Sequence, residues 1–132
     1  MTRLIAMMFA TLLLSLPVRA DDAARQVISD QIAAFQQDDF ETAFTYASPM
    51  IKGIFGTPQR FGQMVRDGYP MVWRPSDVEF LEAEQIGKAL VQDVLIRDAE
   101  GVLYEVEYEM IQGEDGWKIN GVRVKRAPEG LA

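Results

Sequence analysis

The chain has 132 residues, with no cysteine, no histidine, and 20 acidic against 13 basic residues. These counts exclude disulfides, thiol nucleophiles, metal sites built from cysteine or histidine, and imidazole acid–base catalysis. The net charge of −7 also argues against nucleic acids and anionic membrane surfaces as partners, because like charges repel.

The first 20 residues have the pattern of a secretory signal peptide. Arg3 precedes an uncharged apolar run of 13 residues, 4–16, and Val18-Arg19-Ala20 fits a cleavage site. A membrane-spanning helix needs about 20 apolar residues, so the run predicts export without a stable membrane anchor. We therefore expect a periplasmic or secreted protein that begins at Asp21. Residues 21–132 carry 11 basic and 20 acidic side chains, a net charge of −9.

Two helices are predicted at the start of the exported chain. Apolar residues recur at helical spacing over residues 21–37, which indicates an amphipathic first helix. Asp38 and Glu41 stand three residues apart, as in a capping box, which predicts the start of a short second helix. Asp38 and Asp39 are both interpreted as helix caps.

Two further helices are predicted from Ser/Thr-Pro pairs. Ser48-Pro49 and Thr57-Pro58 each supply an N-cap oxygen and a proline suited to the first helical turn. The second of these helices should end near Gly68, because glycine often closes a helix. Residues 69–76 contain two prolines and no clear periodicity, so we interpret them as an extended connector.

The periodicity then changes to that of strands. Four strands are predicted, over residues 77–86, 90–97, 102–111 and 117–125. In the third, one face is predicted to pack inward and consists of Val102, Tyr104, Val106, Tyr108 and Met110. In the fourth, Ile119 and Val122 differ in parity, so a bulge at Asn120-Gly121 is needed to turn both toward the core.

Helices followed by a four-stranded antiparallel meander predict one α+β domain over residues 21–126, with residues 127–132 as a frayed tail. The helices should cover the inner face of a curved sheet, which gives the domain a cone-like shape. Such an arrangement often leaves a cavity between the sheet and the helices.

Short sequence motifs suggest a family. The last predicted strand begins Trp117-Lys118-Ile119-Asn120-Gly121-Val122 and is similar to the last strand of nuclear-transport-factor-2-like domains. More specific segments are Ala47-Ser48-Pro49, IFGTP at 54–58, FGQMVR at 61–66 and GYPMVWRP at 68–75. They resemble an uncharacterised family of small exported bacterial proteins, domain of unknown function 4864, over roughly residues 24–124. The resemblance implies an exported globular domain and no assigned reaction, ligand or catalytic residue.

The stretch from Arg66 to Arg74 is the main candidate for a ligand site. Tyr69 and Trp73 lie between two arginines, and they offer stacking surfaces with polar tips, while arginine offers a planar fork for carboxylate or phosphate. We predict that Arg66, Tyr69, Trp73 and Arg74 surround the mouth of the cavity. In the alternative interpretation, the aromatic side chains close the open end of the sheet and the arginines neutralise nearby acids.

Tyrosines and glutamates of the third strand are further candidates. Tyr104 and Tyr108 are predicted to face inward, so their hydroxyls could reach a ligand, although core tyrosines commonly bond a backbone carbonyl instead. Glu105, Glu107 and Glu109 share the opposite face about 7 Å apart. A straight strand spreads such carboxylates too widely for a metal ion, so we expect a solvated face balanced by cross-strand bases such as Arg97 or Arg123.

The sequence favours an exported binding or accessory domain for a small molecule or peptide, with no cofactor. The alternative is an isomerase or dehydratase that uses Asp39 or Asp93 as base and Tyr46 or Tyr108 as oxyanion donor. A carboxylate inside an apolar cavity would favour the enzyme, and its absence there would favour binding. A dimer through the sheet's outer face would bring like charges together, and no particular oligomeric state is favoured.

Overall fold

A computed structural model of the chain describes residues 20–126. The predicted signal peptide, apart from Ala20, and the predicted frayed tail lie outside the described residues. The elements are α1 (Ala20–Gln36), α2 (Phe40–Thr45), α3 (Pro49–Phe55), α4 (Pro58–Gly68), α5 (Pro70–Trp73), β1 (Asp77–Ile86), β2 (Ala89–Arg97), β3 (Leu103–Gly113) and β4 (Gly116–Arg126). Between residues 20 and 126, no helix is long and apolar enough to cross a membrane.

Side-chain caps determine where the short helices begin. The hydroxyls of Ser48 and Thr57 accept hydrogen bonds from the first turns of α3 and α4 at 3.3 and 3.2 Å, which confirms both predicted caps. For α2 the predicted cap Asp39 is confirmed, because its side chain accepts from the backbone nitrogen of Thr42 at 3.2 Å, whereas the capping-box start at Asp38 was wrong by one residue. Asp38 instead adopts φ 53°. Aspartate tolerates this left-handed conformation, which lets the chain turn sharply between α1 and α2.

The predicted connector over residues 69–76 was also wrong in part, because it contains the helical turn α5. Its first residue is a proline, which suits a helix start, and its Met71 and Val72 side chains are buried in the core. A single turn is too short to show helical periodicity in the sequence, so packing rather than pattern determines it. The preceding helix α4 ends at Gly68, as predicted.

The four strands form one antiparallel sheet in the order β1-β2-β3-β4. The predicted bulge in β4 is confirmed: Glu109 pairs with Gly121 while the next residue, Met110, pairs with Ile119, so Asn120 is the extra residue. The bulge lets Ile119 and Val122 face the same side of the sheet. Helices that precede a curved antiparallel sheet and cover one of its faces confirm the predicted α+β architecture.

The connection between α2 and α3 is attached to this bulge. The backbone nitrogen of Ile119 donates to the carbonyl of Tyr46 at 2.8 Å, and that of Ser48 donates to the carbonyl of Ile119 at 2.9 Å. The buried Ser48 hydroxyl donates to Oδ1 of Asn120 at 2.8 Å and also caps α3. One serine therefore links the start of a helix to the irregular point of the edge strand.

A second bulge, not foreseen in the sequence, bends β1 between Phe80 and Ala83. The fully buried Gln92 donates from Nε2 to the carbonyl of Leu81 at 3.1 Å. Arg25 of α1 donates to the same carbonyl at 2.8 Å and to Oε1 of Gln92 at 2.9 Å. These bonds satisfy backbone groups that the bulge removes from the strand ladder.

The hydrophobic core lies between α1, α4, α5 and the concave face of the sheet. The inward face of β3 is confirmed for Val106, Tyr108 and Met110, which are fully buried. For Val102 the prediction was wrong, since this residue precedes β3 and is 47% exposed. An aromatic contact joins the helices, with the ring centroids of Phe35 and Phe61 5.8 Å apart.

Gly62 allows the close packing of α2 against α4. A Cβ atom at this position would lie 2.3 Å from the ring of Phe40. We expect Gly62→Ala to lower the free energy of unfolding by about 1 to 3 kcal/mol through overpacking, measured by urea denaturation. The matched control is Gly53→Ala in α3, where an added Cβ meets nothing within 4 Å and alanine's higher helix propensity should leave stability equal or raised. Equal destabilisation by both changes would contradict the packing assignment.

Candidate functional site

A cavity of about 230 Å³ lies between the helices and β4. Most of its wall is apolar and includes Phe35, Phe55, Phe61, Met64, Val65 and Ile119. The polar side chains in its lining are Gln31 and Tyr69. Gln31 is 3% exposed, and its Nε2 donates to the carbonyl of Ala43 at 3.1 Å. Such a lining can hold an uncharged apolar group.

Three elements turn apolar side chains toward this space. On α4, Phe61, Met64 and Val65 share one face because they are three or four residues apart. On α3, Ile51 and Phe55 are four residues apart and contribute the adjoining wall. On β4, the bulge at Asn120 lets residues on both sides of it face inward. The cavity therefore depends on the bulge and on the position of α3.

The four residues of the predicted cavity mouth lie close to one another. The lining includes Tyr69 and does not include Arg66, Trp73 or Arg74. The guanidinium of Arg74 stacks on the Trp73 ring at 4.0 Å from its centroid, and that of Arg66 lies 6.0 Å from the same centroid. Ligand contact by these four side chains stays a prediction.

Asp38 explains the position of two of them. Its Oδ1 accepts hydrogen bonds from Nε1 of Trp73 and from Nη2 of Arg74, both at 2.9 Å. These two bonds hold the pKa of the Asp38 carboxyl below its usual value, and the bond from Trp73 has the larger effect. Arg74 also donates to the carbonyl of Phe35 near the end of α1. The Asp38–Trp73–Arg74 cluster thus holds the turn after α1 in place. In it Arg74 pairs with an acid, as the alternative interpretation of the arginines described.

The two predicted tyrosines of β3 do not line the cavity. Tyr104 is partly buried. Tyr108 is fully buried, and among residues 20–126 its hydroxyl has no hydrogen-bond partner, so burial raises the pKa of Tyr108. Its expected bond to a backbone carbonyl is therefore not seen.

The candidate groups for catalysis are dispersed. Asp39 caps α2, and hydrogen bonds from Thr42 hold the pKa of its carboxyl below the usual value. Asp93 alternates with the inward-facing residues of β2, so it lies on the outer face of the sheet. In the register of β2 and β3 it stands opposite Glu107. Neither carboxylate lines the cavity, and Tyr46 does not line it either.

The outer glutamates are solvated or paired with bases. Glu107 is bonded to Nε of Arg123 at 2.8 Å and lies 3.6 Å from Nζ of Lys125, which confirms the predicted cross-strand base Arg123. Arg97 instead donates to the carbonyl of Gly101. Within the described part of the chain, no group of three or more carboxylates is arranged to hold a metal ion.

Sequence reasoning missed most of the cavity wall. The spacing of Phe61, Met64 and Val65 predicts one apolar face on α4, but an apolar helix face ordinarily packs into a core rather than lining a cavity. Gln31 was not singled out. The sequence does hint at Gln31, because it precedes Ile32 on the side of α1 that is predicted to be buried, and a buried polar side chain needs a hydrogen-bond partner.

Comparison with known proteins supports the fold. The family described as "Domain of unknown function (DUF4864)" matches residues 18–131, so the chain belongs to this family, as its motifs indicated. No curated protein matches the chain. A crystal structure of an NTF2-like protein of unknown function from Shewanella baltica OS155 is 14% identical, with a TM-score of 0.58 over 87% of this chain and 99% of that one. The fold is therefore NTF2-like.

A second solved structure has the same fold with a named ligand. It is a phospholipid-binding protein from Ralstonia solanacearum in complex with a phospholipid. It is 14% identical to this chain, with a TM-score of 0.50 over 83% of this chain and 80% of that one.

The Asp38 cluster makes stability depend on acid pH. Because the pKa of Asp38 is lowered by folding, its carboxylate stabilises the fold above its unfolded pKa of about 4, and this contribution is lost as pH falls through the folded value. We expect Asp38→Asn to destabilise the protein at pH 7 and to differ less from the parent at pH 2, as measured by urea denaturation. A difference that is constant across this range would contradict the role of the charge.

Proposed function

We propose that this DUF4864 protein is exported and binds one small apolar ligand in the cavity between its helices and β4. The observation that carries the proposal is the 230 Å³ cavity with its apolar lining. The space is concave and partly open to solvent, and four aromatic side chains stand in its wall. Concave, mostly apolar spaces of this kind are the usual sites of small ligands.

The volume limits the ligand. An engineered apolar cavity of about 150 Å³ binds benzene, and pockets for drug-sized molecules begin near about 300 Å³. At about 30 Å³ for each water-sized unit, the cavity has room for roughly eight heavy atoms. One ring or one short chain fits. A two-chain phospholipid has several times as many heavy atoms, so the phospholipid bound by the Ralstonia protein supports lipid-like chemistry here but not the same ligand.

Affinity should be moderate. At about 0.8 kcal/mol for each buried CH₂, eight groups contribute roughly 6 kcal/mol. Because immobilising the ligand costs part of this free energy, tens of micromolar is the tightest dissociation constant to expect. The polar groups of Gln31 and Tyr69 could orient a ligand that has one polar end. Since no carboxylate among residues 20–126 lines the cavity, binding is favoured over catalysis by a buried acid.

Export rests on the N-terminal pattern of Arg3, the apolar run and Val18-Arg19-Ala20. We expect protein recovered from outside the cytoplasm to begin at Asp21, because cleavage after Ala20 removes the signal. N-terminal sequencing of the exported protein checks this. A chain that keeps Met1 and fractionates with membranes would contradict export.

Filling the cavity should abolish binding. We expect Val65→Phe to weaken binding of fluorobenzene, a neutral probe small enough for the cavity, at least tenfold, because the added ring occupies the ligand's space. Titration followed by ¹⁹F NMR measures the affinity, and circular dichroism verifies folding. The matched control is Val102→Phe, which makes the same change at a site outside the cavity that is 47% exposed. Equal affinity of both variants, or no binding by the parent protein, would refute the proposal.

A further inference from the structure

The charge of the chain is distributed unevenly. Residues 42–66 contain three basic residues, Lys52, Arg60 and Arg66, and no acidic one. The rest of the chain from residue 21 onward holds 8 basic and 20 acidic residues. The segment 42–66 includes most of α2, all of α3 and most of α4, and of these α3 and α4 line the cavity. Residues 116–128 likewise hold four basic residues and no acidic one, but Arg123 and Lys125 of that segment pair with Glu107. The segment 42–66 is thus a cationic part of a domain whose net charge is −9.

The same part exposes apolar side chains. Met50 and Ile54 of α3 are 53% and 65% exposed. They are four residues apart and therefore share one side of the helix. The adjacent side carries Ile51 and Phe55, which line the cavity. A surface helix normally turns polar residues to water, whereas α3 has one charged residue, Lys52.

We propose that α3 is a reversible docking surface for a phospholipid bilayer that contains anionic lipids. Met50 and Ile54 enter the boundary between headgroups and acyl chains, and the long, flexible side chains of Lys52 and Arg60 reach toward lipid phosphates. Interfacial helices combine an exposed apolar side with basic residues in this way. The acidic remainder orients the domain, because it is repelled by the anionic surface while the segment 42–66 is attracted.

A bilayer fits this surface better than a second copy of the chain. In a symmetric dimer through α3, the same basic segment would meet itself and repel. A bilayer supplies both an apolar layer and phosphate groups. Since α3 also forms a wall of the cavity, a ligand could move between bilayer and cavity beside this helix. That last step rests on the proposed function, whereas docking does not.

Vesicle flotation of the chain from Asp21 onward tests the proposal. Vesicles are made of phosphatidylcholine alone or of phosphatidylcholine mixed with phosphatidylglycerol. We expect binding to the mixed vesicles that weakens with added salt, since charge interactions are screened. The double variant Met50→Ser, Ile54→Ser should bind them at least tenfold more weakly. The matched control is Ile86→Ser, Val102→Ser, which removes apolar side chains that are 55% and 47% exposed on other parts of the domain.

Several results would overturn docking: no binding by the parent protein, equal weakening in both double variants, or equal binding to both vesicle types. Sedimentation velocity provides a further check, because a dimer that dissociates only in the α3 variant would assign the surface to a second copy. Fluorobenzene affinity separates this proposal from the previous one. It should be unchanged in the α3 variant, whose altered residues do not line the cavity.

Discussion

Ser48 and the bulge of β4 hold the helical layer in register with the sheet. The Ser48 hydroxyl caps α3 and bonds Asn120, and two backbone hydrogen bonds join the same connection to Ile119. The extra residue in β4 turns Ile119 and Val122 inward, and the attached serine determines where α3 begins. Both walls of the cavity beside the edge strand follow from this junction. Ser48 is fully buried, so loss of its bond to Asn120 would leave the serine hydroxyl without an acceptor, which is costly.

Much of the fold is legible in the sequence because local patterns determine it. The change of parity between Ile119 and Val122 predicts the bulge, and two Ser/Thr-Pro pairs predict the starts of α3 and α4. Patterns fail where distant partners decide. Asp38 lies 35 residues from Trp73, and nothing local indicates that its carboxylate accepts from the indole. The bend in β1 likewise depends on Arg25 and Gln92, which come from other elements.

The sequence predicts which side chains of the candidate site are apolar, but it does not predict the space between them. The apolar face of α4 can be identified from spacing, but whether that face is filled or lines a void depends on the distance between helices and sheet. The aromatic and arginine-rich stretch from Arg66 to Arg74 stands out in the sequence, and ligand contact by it stays a prediction. Of its members Tyr69 lines the cavity, while Trp73 and Arg74 secure the turn after α1. The net charge of the chain does not show where its charges lie. The cationic segment over residues 42–66 becomes a candidate docking surface only when the fold places α3 and α4 beside the cavity.

The central claim is that the space between α4 and β4 holds the ligand. Intermolecular nuclear Overhauser effects between bound fluorobenzene and methyl-labelled protein test it most directly, because they report atoms within a few ångströms of the probe. We expect cross-peaks to the methyl groups of Met64, Val65 and Ile119, which line the cavity. Cross-peaks confined to exposed methyl groups such as those of Ile54 and Ile86 would contradict it.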